Sequence, residues 1–301
     1  MQTERTFVDE LKYQYKSGGM HIRLIFINAI VFLGIGLTIM VENLTGTRGG
    51  PVAHFLTDVF TLQSDIKLFI YKPWGLITSI FSHFSLGHFL MNMIFLFFSG
   101  RMFLQFFTSR RLLHVYVIAG IIGGLFELLA HLVFKNVSDT AVVVGASGSI
   151  MGIFMAVAFY RPSLKVGFFG IEIPFIIFPI LFLASDLLSL GSGDSVAHFA
   201  HIGGALVGIL SVQNIHSSTN IINMSEKFGQ RFLTFFSGLF RPKQKMRVQK
   251  GGRPVKTDEQ YNMEAKERQK KTDVILDKIS KSGYESLTKA EKEFLFSQSK
   301  K

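Results

Sequence analysis

The chain is 301 residues long and 48% hydrophobic, with 32 phenylalanines, a formal net charge of +11 and no cysteine. The missing cysteine excludes disulfides, thiolate metal sites and a thiol nucleophile, and apolar residues gathered in long uninterrupted blocks point to bilayer spans before soluble domains. The charge is concentrated: residues from 217 onward hold 19 of the 32 basic and 10 of the 21 acidic residues, hence nine of the eleven net charges. This is the pattern of an inside-positive membrane protein whose basic tail is drawn to anionic lipid, and nucleic acid is not an expected partner.

Residues 1–20 are polar and charged, which suits a cytoplasmic segment and not a removable signal peptide. The stretch "IRLIFINAIVFLGIGLTIMV" at 22–41 has the ~20 apolar residues that a helix needs to cross hydrocarbon. Segment 42–78 mixes Phe, Leu, Tyr71 and Trp74 with charges and is expected in the outer interface. Five further spans are expected over 79–99, 112–134, 143–160, 170–190 and 196–213. The fold class that follows is all-α: a polytopic bundle of six transmembrane helices over 21–215, with a small helical tail.

Spans four and six are rich in Gly, Ala and Ser, the residues that let helices approach closely in lipid, and are read as interior. Span five holds Pro174 and Pro179 in a row of Phe, Ile and Leu, so a kinked, lipid-facing helix is expected, with these prolines marking a substrate gate. Residues 216–257 then read as an interfacial helix followed by a flexible basic linker. In the helix Phe228, Phe232, Phe235, Phe236 and Leu239 fall near helical spacing, with Lys227 and Arg231 between them. Residues 258–301 read as a small cytoplasmic helical pair, with Gly283 ending the first helix and the capping box "TKAE" at 288–291 opening the second.

Loop charges set the orientation. Lys12, Lys16 and Arg23 precede span one, Arg101, Arg110 and Arg111 follow span two, and Arg161 and Lys165 follow span four, all on one side if the spans alternate. That side is cytoplasmic by the positive-inside rule. The opposite loops carry Arg48, Lys67, Lys72 and Lys135, and "GSGDS" at 191–195 carries no basic residue. Both termini then lie in the cytoplasm.

Polar groups inside spans are costly and mark function. His83, His88 and Asn92 in span two, Ser147 and Ser149 in span four, and His198 and His201 in span six all fall near the outer ends of their helices, so they share one depth. His88 and Asn92, four residues apart, present two donors on one helix face. Gly148 and Gly152 on span four and Gly204 and Gly208 on span six form small-residue stripes that bring Ser147 and His201 within the ~3 Å of proton transfer. A histidine is the usual base that activates a serine, and no acid is required in principle. Asp186, near the outer end of span five, could orient His201, but it sits on a different helix and is read first as a cap of that span.

At these residues the chain resembles the rhomboid family of intramembrane serine proteases. "GASG" at 145–148 is similar to the family's GxSG, "AHIGGALVG" at 200–208 to AHxxGxxxG, and "HFSLGHFLMNMIF" at 83–95 to HxxxxHxxxN. The resemblance covers roughly residues 20–215. It implies that Ser147 is the nucleophile and His201 the general base, that His88 and Asn92 surround the oxyanion with the Ser147 backbone N–H, and that His83 is accessory, with Gly145 and Gly148 as the flanking glycines of the motif. It implies no metal or cofactor, and substrates that are other transmembrane proteins, cut in or near their spans at small residues. Two positions depart from the family pattern: Gly75 follows Trp74 where many members have Arg, and Gln105 stands where a Glu is common. The tail resembles an extension of some bacterial rhomboids, so the expected location is a bacterial inner (plasma) membrane with the active site toward the outer side.

The same residues admit two other readings. A proteolytically inactive relative that binds transmembrane helices would ordinarily have lost Ser147 or His201, and both are present. A metal or haem site on His83, His88, His198 and His201 lacks a Glu-x-x-His pairing, and the spacing of five between His83 and His88 is poor for one helix face.

Overall fold

The computed structural model describes residues 6–47, 49–134, 142–168, 170–190, 196–240 and 258–298. Arg48, Lys135, the "GSGDS" loop and the basic linker 241–257 lie outside the described residues. Two compact units are present, Met1–Leu239 and Phe240–Lys301.

The first unit starts with α1 (Phe7–Ser17), capped by Thr6, which accepts from the N–H of Asp9, and continues into α2 (Met20–Leu44). The connection to the next span folds into α3 (Pro51–Phe60), the short strand β1 (Leu62–Gln63), α4 (Ile66–Tyr71) and α5 (Gly75–Thr78). The N-terminus of α3 is satisfied from a distance, because the Glu42 carboxylate accepts from the N–H groups of Val52 and Ala53 at 3.0 and 3.1 Å. Gly75 packs against the carbonyl of Thr61, where a side chain would collide with backbone. This accounts for glycine after Trp74; nothing in the structure explains Gln105.

The remaining helices of this unit are α6 (Leu86–Phe103), α7 (Ser109–Val133), α8 (Ser147–Tyr160), α9 (Ile177–Ser189), α10 (His198–Val212) and α11 (Ile221–Phe240). Two short antiparallel ladders accompany them. In one, β1 pairs with β2 (Val142–Val143), Leu62 opposite Val143; in the other, β3 (Lys165–Phe168) pairs with β4 (Ile171–Pro174). The fold is an all-α polytopic bundle of six apolar helices. Of these, α2, α6 and α7 are long and apolar enough to cross a bilayer, whereas α8, α9 and α10 have only 14, 13 and 15 residues.

Span five differs from its expectation. Pro174 is not inside a helix but ends β4, paired with Lys165. Pro179 is the third residue of α9, in the first turn, where a missing N–H removes no intrahelical bond. The sequence 170–190 is therefore half of a hairpin plus a short helix, not one kinked helix.

Every residue of α8 from Gly148 to Ala158 is buried. Its partner α10 comes so close that a Cβ on Gly204 would collide with the Gly148 carbonyl, and one on Gly208 with that of Gly152. Polar stitches hold the surrounding helices. The fully buried Tyr116 on α7 donates to the carbonyl of Ile80 at 2.8 Å and accepts from Asn28 on α2 at 3.1 Å. At the other end of the bundle the Arg111 guanidinium bonds the Ser211 carbonyl and the side chains of Asn220 and Asn223, tying α7 to the end of α10 and the start of α11. Phe228 on α11 is exposed, and the side chains of Phe232, Phe235, Phe236 and Leu239 lie outside the described part.

The second unit contains α12 (Asp258–Ser282), a turn at Tyr284–Ser286 and α13 (Lys289–Gln298). Gly283 takes φ 77°, the left-handed conformation that ends helices. Thr288 and Glu291 form the capping box: Glu291 accepts from the Thr288 N–H at 2.7 Å, and Thr288 Oγ1 from the Glu291 N–H at 3.4 Å. Lys278 on α12 reaches the same carboxylate at 3.0 Å. The backbone bond from Thr288, followed by those from the Lys278 and Thr288 side chains, holds the Glu291 carboxyl below its ordinary range.

Two outcomes are expected. Gly204→Ala lowers the unfolding temperature in detergent by the equivalent of about 1–3 kcal/mol, whereas Gly36→Ala, whose new methyl meets nothing within 4 Å, does not lower it. Because the Glu291 carboxyl is depressed in the folded state, its contribution is present above the usual carboxylate range and is lost as pH falls through the lowered value. Protection of the α13 amides, measured against their intrinsic exchange rate at each pH, therefore falls on acidification, and Glu291→Gln removes that acid-dependent step.

Candidate active site

Ser147 sits where an extended segment turns into a helix. Pairing of β2 with β1 holds the segment before it, and the Gly145 N–H donates to the Ser79 carbonyl at 3.0 Å. Gly145 adopts φ 113°, and a Cβ there would lie 2.7 Å from Cε1 of His88, so both conformation and space call for glycine. Ala146 caps α8 without a side-chain bond, which leaves the first-turn N–H groups of the helix, that of Ser147 among them, without an intrahelical partner.

The close approach of α8 and α10 brings in the second group. A Cβ on Gly148 would be 3.0 Å from the Ala200 carbonyl, and His201 follows directly after Ala200. Its Nε2 lies 2.7 Å from Ser147 Oγ. The Ala200 N–H donates to the buried Glu127 of α7 at 3.1 Å, fixing this end of α10 to a third helix.

Helix α6 supplies the opposite wall. Ser85 caps it by accepting from the His88 N–H at 3.3 Å, and Asn92, one turn on, donates to the His88 carbonyl at 2.9 Å with its second N–H left for another acceptor. His88, Asn92, Ser147 and His201 all line one cavity of about 680 Å³, together with Met91, Val143 and Phe182. His83 lies behind His88, fully buried, with ring centroids 5.1 Å apart, and its Nε2 accepts from the Ala146 N–H at 3.5 Å. Its Nδ1 has no hydrogen-bond partner among the described residues.

The structure thus gathers Ser147, His201, His88, Asn92, His83, Gly145 and Gly148 at one place. Pro174 and Pro179 do not line the cavity; the residue of α9 that does is Phe182, packed edge-on against Phe95 of α6 at 4.9 Å. A further group, read from the sequence first as a cap, also lies there. Asp186 on α9 is buried, with both carboxylate oxygens 2.9 Å from His201 Nδ1 and Oδ1 also 2.9 Å from His198 Nδ1. The available signal was an acidic residue in the midst of "PILFLASDLLSL", where only a paired carboxylate is affordable.

Six apolar helices packed around buried polar groups define an integral, polytopic membrane protein. The chain belongs to the rhomboid family: residues 71–217 match the Rhomboid domain, and residues 256–301 match a family of unknown function, DUF6576. Relatives include RHOMBOID-like protein 12, mitochondrial, of Arabidopsis thaliana, 33% identical over 150 residues that make up 45% of this chain and 44% of the relative. Presenilin-associated rhomboid-like protein A, mitochondrial, of Danio rerio is 30% identical over 169 residues, 54% of this chain and 42% of the relative. RHOMBOID-like protein 6, mitochondrial, of Arabidopsis thaliana is 29% identical over 145 residues, 46% and 42% respectively. The matches span less than half the length of these relatives. All three are named as mitochondrial, and none of these names supports the bacterial membrane expected from the sequence.

Proposed function

We propose that the chain is an intramembrane serine protease that hydrolyses peptide bonds in or near transmembrane segments of other membrane proteins. The observation that carries this reading is the 2.7 Å contact between Ser147 Oγ and His201 Nε2 at the wall of a cavity that also presents His88 and Asn92. A helix-binding protein without chemistry would have no use for a hydroxyl and an imidazole held at proton-transfer distance in an apolar bundle.

In the proposed reaction Ser147 Oγ attacks the scissile carbonyl carbon while His201 Nε2 takes the hydroxyl proton. The carbonyl oxygen becomes an oxyanion, met by the Ser147 N–H and by donors from His88 and Asn92, each worth about 3 kcal/mol in reactions of this type. His201 then gives its proton to the departing amine as the carbon–nitrogen bond breaks. Water attacks the acyl-enzyme with His201 again as base, and the proton returns to Ser147 Oγ as the acid product leaves. Substrate must reach the cavity as an extended segment, so helices with Gly or Pro near the cut unwind at least cost. We place the lateral opening between α6 and α9, where Phe95 and Phe182 meet; Pro174 and Pro179 belong to the segment that carries α9.

The chain's polarity fits an active site facing away from the cytoplasm. Ser147 and His201 lie in the first turns of α8 and α10, whereas Arg161 follows the end of α8 and Arg111 holds the end of α10. The basic ends are thus the ends remote from the site, and the positive-inside rule assigns them to the cytoplasm with both termini. Anionic lipid is the partner we assign to the basic tail.

Reconstituted with a transmembrane reporter, the wild type is expected to cleave it, and Ser147→Ala and His201→Ala to lose at least about 10³-fold in rate; equal cleavage by all three refutes the assignment. Asn92→Ala is expected to reduce turnover by about 10²-fold with an unchanged unfolding temperature. Since the chain is free of cysteine, single cysteines report orientation directly. One at Ser163 should react with an impermeant maleimide only from the cytoplasmic face, and one at Val196 only from the opposite face.

A further inference from the structure

We propose that Asp186 is a positioning residue for this reaction, holding the His201 ring in the protonation form that makes it a base, with His198 steadying the carboxylate. The proposal rests on the protease reading and adds to it a third, acidic member contributed by α9.

Chemistry constrains who donates at this cluster. A carboxylate can only accept hydrogen bonds, so a ring nitrogen 2.9 Å from it must carry the hydrogen; two acceptors at that distance would repel. His201 Nδ1 is therefore N–H, and in the neutral ring Nε2 is left bare. The 2.7 Å contact at Nε2 then has one consistent assignment, with Ser147 Oγ–H donating to the imidazole. His198 Nδ1, on the same carboxylate oxygen at 2.9 Å, donates as well, which fixes the rotation of the carboxylate against the turn that carries His201. When Nε2 takes the serine proton, the resulting imidazolium faces the carboxylate, in surroundings where the Asp186, His198 and His201 side chains are at most 10% exposed. The other charged or titratable ring at this cavity is His88, on α6, across from the Ser147–His201 pair.

The location of the acid supports a role beyond fold maintenance. The two residues that follow it on α9, Leu187 and Leu188, are large, apolar and exposed. A buried carboxylate in such a helix is expensive unless it is paired, and here both of its partners lie on the helix that carries the base.

The test uses the full chain in proteoliposomes with a transmembrane reporter and a fluorophosphonate probe. For Asp186→Asn the expected result is a fall in kcat of about 10²-fold or more, a KM within about threefold of wild type, and a parallel fall in the rate at which the probe labels Ser147. Asparagine's amide N–H₂ offers a donor to the ring and so favours the wrong tautomer. In ¹⁵N-histidine spectra of the wild type, neutral His201 is expected with Nδ1 protonated and Nε2 bare, a readout that stands even if the variant does not fold. Wild-type kcat in Asp186→Asn, or an Nε2–H form of His201 in the wild type, overturns the proposal. If Ser147→Ala also cleaves like wild type, the protease reading falls; if only Asp186→Asn does, that reading stands and the role of Asp186 alone is refuted.

Discussion

Close approach of two backbones is the constraint on which the rest of this molecule depends. Helices α8 and α10 pack with Gly148 and Gly152 against Gly204 and Gly208, and no side chain fits between them. In an apolar solvent there is no hydrophobic force to drive helices together, so contact area and short-range dispersion must do it, and small residues maximise both. The consequence for the site is metric. A serine hydroxyl and an imidazole have short reach, and they meet at 2.7 Å only because the helix axes are drawn in by the glycines beneath them. The same stripes that stabilise the bundle therefore set the geometry of the Ser147–His201 contact.

Around this seam, several polar groups in apolar surroundings are paired across helices, joining elements distant in sequence. Asn28 with Tyr116 links α2 to α7, Arg111 joins α7 to α10 and α11, and Glu127 anchors the first turn of α10. Each exchanges a desolvation penalty for a bond with little competition from water, so these contacts fix helix rotation more sharply than lipid-like packing would. Asp186 with His198 and His201 follows the same rule, except that one of its partners, His201, also contacts Ser147.

Much of this was legible in the sequence because the relevant signals are local. Apolar length marks the helices, Gly and Ala mark the buried ones, and the shared depth of His88, Asn92, Ser147 and His201 follows from alternating spans. Three features were not legible. The division of 170–190 into a hairpin strand and a 13-residue helix depends on the pairing of β4 with β3, and an apolar run of that length reads equally as a single span. Pairing of β1 with β2 joins segments about 80 residues apart, and neither is long enough to show a strand period. Asp186 reads as a cap before it reads as a partner of His201 because one chain's sequence does not reveal which helices are neighbours, whereas His88 and Asn92 share a helix and betray their common face.

The shortness of α9 has a consequence for the surrounding lipid. Thirteen residues of helix rise about 20 Å, against a hydrocarbon layer of about 30 Å. Its outward residues Ile180, Leu181, Leu187 and Leu188 offer lipid an apolar band of only that height. Acyl chains alongside it must compress or tilt, at fractions of a kcal/mol per ångström of misfit.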